Sequence, residues 1–258
     1  MTTPGAVRYF EARARTYRHT WRGTVISSFA NPIMFLAAMG LGLGTLVDDG
    51  SAGAVAGISY LSFLAPGLLA ATMMQSATSD SAWPVMAYIK WLKTYDAVLA
   101  TPMNVRDIVA GHLSFIAARM TFIAMVFTFI AVAFGAYDLP RGLLAVLPAV
   151  LTGLTFGAVV MAYTTRLEND IGLSNLFRFG IVPMFLFSGV FFPISQLPDW
   201  LEPVAFITPL WHGVQLTRAA ALGIPTRIPA FVSVAYLVIL TVVGAILAAR
   251  WLQRRLVS

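Results

Sequence analysis

Stretches of about twenty residues without a charged side chain recur six times along this chain, and no other feature limits its fold so strongly. They cover Thr24–Val47, Gly57–Ser79, Met120–Tyr137 as the outer part of a span beginning near Ile108, Gly142–Thr165, Phe179–Pro193 with a few flanking residues, and Ile228–Ala249. About twenty apolar residues in a helix match a hydrocarbon layer ~30 Å thick. Helix is the required form, because an open strand in lipid leaves its N–H and C=O groups unpaired. The composition agrees, with 59% of residues hydrophobic and 11% charged, where soluble chains carry about 25% charged residues. The expected fold is all-α, a polytopic membrane protein of six transmembrane helices.

Lys and Arg alternate between the connections unevenly. Arg8, Arg13, Arg15, Arg18 and Arg22 precede the first span; Lys90, Lys93 and Arg106 follow the second; Arg166 and Arg178 follow the fourth; Arg250, Arg254 and Arg255 end the chain. The opposite connections hold only Arg141, Arg218 and Arg227. By the positive-inside rule both termini face the cytoplasm, and Asp48, Asp49, Asp138, Asp199 and Glu202 face outward. Residues 1–23 read as a cytoplasmic amphipathic segment without a signal-peptide core, 24–250 as the six-helix domain and 251–258 as a cytoplasmic tail. The formal charge of +6 serves orientation, since the basic residues are dispersed and fit no nucleic-acid motif. There is no cysteine, and His19, His112 and His212 are too scattered for a metal site.

Two connections are too long for turns. Within the cytoplasmic segment 80–107, Tyr88–Leu99 is predicted to form one helix, with Tyr88, Trp91, Leu92 and Tyr95 near one face. A docking surface fits that pattern, and so does an interfacial helix anchored by Trp and Lys. On the outer side, 194–227 forms a re-entrant hairpin. Pro193, Pro198, Pro203 and Pro209 break any single helix there, short helices are expected at about 198–206 and 209–222, and Trp200 and Trp211 are expected at the interface.

Three segments carry a family resemblance: LFSGVFFPISQLPDWLEPVAFITPLWHGVQLTR (Leu186–Arg218), KWLKTYDAVLATPMNVRDIVAGHL (Lys90–Leu113) and FLAPGLLA (Phe63–Ala70). Together they resemble the permease subunits of ABC-2 type exporters, particularly the branch with the nodulation lipo-oligosaccharide and daunorubicin export permeases. Thr208 departs from that pattern, standing where Asn is frequent before the Pro-Leu pair. The resemblance implies a permease that pairs with a second copy or a paralogue. It also implies docking through the segment between spans two and three onto a separate ATP-binding subunit, which carries the ATP and Mg. This chain is expected to hold no cofactor. A phosphate-binding loop ends in Gly-Lys-Ser/Thr, and the only lysines, Lys90 and Lys93, follow Ile89 and Leu92.

The resemblance thus implies an exporter subunit in the cytoplasmic membrane that moves a glycolipid, a lipo-oligosaccharide or a hydrophobic drug. The residues expected to meet the motor are Tyr88, Lys90, Trp91, Lys93, Tyr95 and Asp96, and Asp96 can alternatively pair with an arginine of the N-terminal segment. Arg119 is the one cation well inside a proposed span; it either gates a path or is held by Asp80, Glu168, Asp170 or headgroups. An ion-coupled transporter is the first competing class, and it requires midplane carboxylates that the six windows lack. A membrane-embedded transferase is the second, and Glu168, Asn169 and Asp170 are its compact polar cluster.

Overall fold

The computed structural model describes residues 4–43 and 58–256, and its elements are all helices. The first expected span beyond Leu43, with Gly44 and the Asp48–Asp49 loop, lies outside the described residues, as do the side chains of His19, Arg22, Asn31 and Pro32. Helix α1, Gly5–Phe35, joins the N-terminal segment to the start of the first expected span as one helix and widens into a π-helical stretch, Leu36–Leu43. Then come α2 (Tyr60–Lys90), the short α3 (Thr94–Leu99), α4 (Val105–Ala133), α5 (Leu139–Arg166), α6 (Ile171–Phe187, π-helical over Leu176–Ile181), α7 (Glu202–Ile207), α8 (Pro209–Leu222) and α9 (Ala230–Leu256).

Capping residues set the helix ends. The Asp107 carboxylate accepts from the Asn104 N–H at 3.0 Å to start α4, and Thr208 with Pro209 starts α8. Gly223, at φ 70°, ends α8 in the left-handed region. At the far end of α5 the Arg255 guanidinium donates to the carbonyls of Thr165 and Leu167, both at 2.8 Å.

Helix α5 is the hub, with α2, α4, α8 and α9 packed around it and α1 lying on α4. Leu69 and Met73 of α2, Met120, Ile123 and Phe127 of α4, and Ala145 and Ala149 of α5 share one core. Helices α4, α5 and α9 are each long and apolar enough to cross a membrane. Although α9 is the most apolar of the three, only 17% of its apolar stretch is buried, so Val238, Ile239, Val242 and Ile246 need hydrocarbon around them. The chain is an all-α polytopic membrane protein.

Helix α6 differs from the expected span Phe179–Pro193. It ends at Phe187, where Ser188 and a left-handed Gly189 (φ 78°) turn the chain, and residues 188–193 are irregular.

Small residues let α9 reach the hub. A Cβ added at Gly244 would stand 2.8 Å from the Val159 nitrogen and 2.9 Å from the Ala158 carbonyl carbon, both backbone atoms that cannot rotate away. Gly244→Ala is therefore expected to cost about 1–3 kcal/mol as overpacking, read as a lower thermal midpoint in detergent. Gly180→Ala is the control, because its methyl meets only the Leu176 Cδ1 at 3.4 Å.

Candidate functional site

The start of α1, the end of α9, the α2–α4 connection and the α5–α6 turn gather at one end of the bundle. The predicted single helix over Tyr88–Leu99 is two elements. Helix α2 continues through Ser79 and Asp80 to Lys90, because Val85, Met86 and Ile89 extend its apolar face and Asp80 finds a partner. The chain then turns at Trp91–Lys93, with Lys93 left-handed at φ 51°, before α3. That break sorts the expected contact residues. Trp91 (62% exposed), Leu92, Lys93 and Asp96 project outward, and Lys90 is half-buried. Among the described residues, Asp96 pairs with Lys93 at 3.9 Å.

Tyr95 is fully buried, and so it is no part of the outer surface. Its ring lies 5.7 Å from Tyr88 and 6.4 Å from Tyr9, which joins α1, α2 and α3. Burial raises the phenol pKa of Tyr9 and, more strongly, of Tyr95, so both rings stay neutral. Arg13 of α1 donates to the Tyr88 hydroxyl at 2.6 Å and lies 5.0 Å over Phe115. The tie between the N-terminal helix and the connection therefore runs through Tyr88.

Above this junction, Arg119 of α4 is ion-paired with Asp80 of α2, their side chains 16% and 13% exposed. The pair borders a cavity of about 300 Å³ with Arg13, Tyr17, Pro84, Tyr88 and Phe115. Asp80 lies twenty residues along α2, about 30 Å from its start, which is the thickness of a hydrocarbon layer. Its carboxylate thus sits toward the basic end of the bundle, not midway. Glu168, Asn169 and Asp170 are exposed in the α5–α6 turn. Among the described residues, no three His, Asp or Glu side chains converge as a metal site would require.

The opposite end holds the proline-rich connection. Pro193 precedes a 3-10 turn, Ile194–Gln196; Pro198 begins the turn into α7; Pro209 is the first residue of α8. Trp200 is exposed. Trp211 is 3% exposed, its ring 4.6 Å from Phe206, because it fills the core between Ile194, Leu197 and Ala205. Thr208 accepts from the Trp211 N–H at 3.4 Å, a capping task that Asn performs as well, which accounts for the departure at this position.

Arg218, expected as a loop cation, lies inside α8. Its Nε donates to the Phe63 carbonyl at 3.1 Å and its Nη2 to the Val190 carbonyl at 2.9 Å, with the guanidinium 3.7 Å over the Phe63 ring. Beside it the Thr217 hydroxyl lies 3.0 Å from the Pro66 carbonyl. FLAPGLLA, the LFSGVFFP break and the α8 helix therefore meet at one arginine. The signal was present in the sequence: a lone cation inside the otherwise uncharged run of α8 needs a buried acceptor.

Comparison with known proteins identifies the family. Residues 9–222 match the family model described as ABC-2 type transporter. The chain is 32% identical over 238 residues to Nodulation protein J of Sinorhizobium fredii, covering 91% of this chain and 87% of that one. It is 31% identical over 260 residues to Nodulation protein J of Rhizobium leguminosarum bv. trifolii, covering 98% and 95%. The Inner membrane transport permease YadH of Escherichia coli is 21% identical over 92% of this chain and 90% of its own length. With the model matching most of its length, this chain belongs to the ABC-2 type transporter family.

Proposed function

We propose that this chain is the transmembrane subunit of an ATP-driven exporter, with both termini and the α2–α4 connection in the cytoplasm and a separate ATP-binding subunit beneath them. The carrying observation is the exposed Trp91–Leu92 turn, braced from behind by the Tyr9–Tyr88–Tyr95 cluster. A push on that turn reaches α1 and α2 through the tyrosines, and α4 through the core that Tyr95 shares with Val105 and Ile108. Six spans follow if α1 and α6 join α2, α4, α5 and α9 in crossing. Two permease chains, either two copies or this chain and a paralogue, would enclose the path. The cargo class is amphipathic, a glycolipid, lipo-oligosaccharide or hydrophobic drug, and the Phe35, Phe185 and Phe191 cluster supplies apolar surface for it. Ion coupling is disfavoured, because Arg119 occupies the one buried carboxylate found in α2.

Copurification with an ATP-binding subunit tests the assembly, and absence of any such partner would refute it. Trp91→Ala with Asp96→Ala tests the surface. An exposed ion pair adds little stability, so insertion and thermal midpoint should hold, while transport-coupled ATPase activity falls about tenfold or more, as at a docking hot spot. Unchanged coupling would move docking elsewhere.

A further inference from the structure

A cavity of about 470 Å³ opens between α4 and α9, beside the core in which Val109 packs with Tyr9 and Tyr95. Its walls are Val109, Ala110 and Leu113 on α4 and Ala245, Ile246 and Ala249 on α9; the alanines leave the hollow. Its only charged lining residues are Arg106 and Arg250, both exposed. Neither takes part in an ion pair among the described residues. Asp107, the acid next in sequence, is turned away to the Asn104 N–H.

We propose that this groove binds a phospholipid with an acidic headgroup, its phosphodiester held by Arg106 and Arg250 and one acyl chain lying along the alanine hollow. Two guanidiniums suit a phosphate because each offers paired N–H donors, and basic pockets between membrane helices at the cytoplasmic side take such headgroups. The exposed apolar face of α9 places lipid at the opening. A second copy of the chain is a poor occupant, since a two-fold contact through this groove would bring four guanidiniums together without an acid. Because α4 follows directly on the docking connection, the bound lipid would brace the helix that receives the push. The site rests on the proposed orientation, with this end of the bundle in the cytoplasm, and stands whether or not the exporter reading holds.

The full-length protein in nanodiscs of mixed phosphatidylglycerol and phosphatidylcholine tests this, with retained lipid read by native mass spectrometry. Wild type is expected to retain phosphatidylglycerol preferentially. Arg106→Gln with Arg250→Gln should cut that preference about thirtyfold, the loss of two cationic contacts near the surface. Ala249→Phe, which fills the hollow and leaves both arginines, should cut it as well. Phosphatidylglycerol should raise the thermal midpoint of wild type only, and inorganic phosphate should not substitute for it. Equal retention in wild type and the double variant would overturn the proposal. So would equal protection by phosphate, or a change of oligomeric mass in the variants with lipid retention intact.

Discussion

Removing either partner of the Asp80–Arg119 pair is expected to destabilise the protein by about 3–5 kcal/mol, and removing both to restore most of the loss. A buried pair broken on one side leaves a charge without compensation, whereas apolar replacement of both sides is close to neutral. The two single losses should differ. With Arg119→Met, Asp80 still faces Arg13 across the same cavity. With Asp80→Asn, Arg13 and Arg119 are left facing each other with no carboxylate between them, so this variant should be the worse. A double-variant cycle of thermal midpoints in detergent measures the coupling. Strictly additive losses would mean that the pair is incidental and that Arg119 owes its place to the Tyr17 ring, 5.4 Å away.

This pair also shows where sequence reading stops. Among the described residues each long helix contains one of the charge-free runs, since lipid demands that an apolar run of that length be helical. Proline marked α8 almost to the residue, because it acts locally. Asp80 misled the boundary of the second span: a carboxylate reads as the end of a hydrophobic window unless its partner, thirty-nine residues away, is known. Tyr95 and Trp211 misled differently. Each is amphipathic enough for a surface or an interface, and only the tertiary neighbours, Tyr9 and Tyr88 for one and Phe206 for the other, show that both are buried.

Arg218→Met is the second large effect expected, and it should loosen the proline-rich connection rather than unfold the bundle. The Val190 carbonyl sits in the irregular break, where none of the described backbone bonds reaches it, so losing Arg218 leaves a buried acceptor unpaired at about 1–3 kcal/mol. The stacking on Phe63 goes too, worth up to about 2 kcal/mol when desolvated. Arg218→Lys should recover only part, because an ammonium is a point donor and cannot fork between Phe63 and Val190. Since the chain has no cysteine, Ile194→Cys provides a buried reporter beside Arg218. Its labelling by an impermeant maleimide should rise about tenfold or more in Arg218→Met, the factor that a loss of about 1.4 kcal/mol gives for a local opening. Gly67→Ala should act in the same direction with the arginine still present, because its methyl would stand 2.9 Å from the Arg218 Nη2 and 3.0 Å from the Val190 oxygen. If neither variant changes labelling, the connection is held instead by the His212–Ser233 contact at 3.0 Å and the Tyr236 hydroxyl on the Ile207 carbonyl at 2.6 Å, which tie it to α9. Labelling that rises only with Arg218→Met would assign the effect to the charge; a rise in both would assign it to the fit of three segments around one guanidinium.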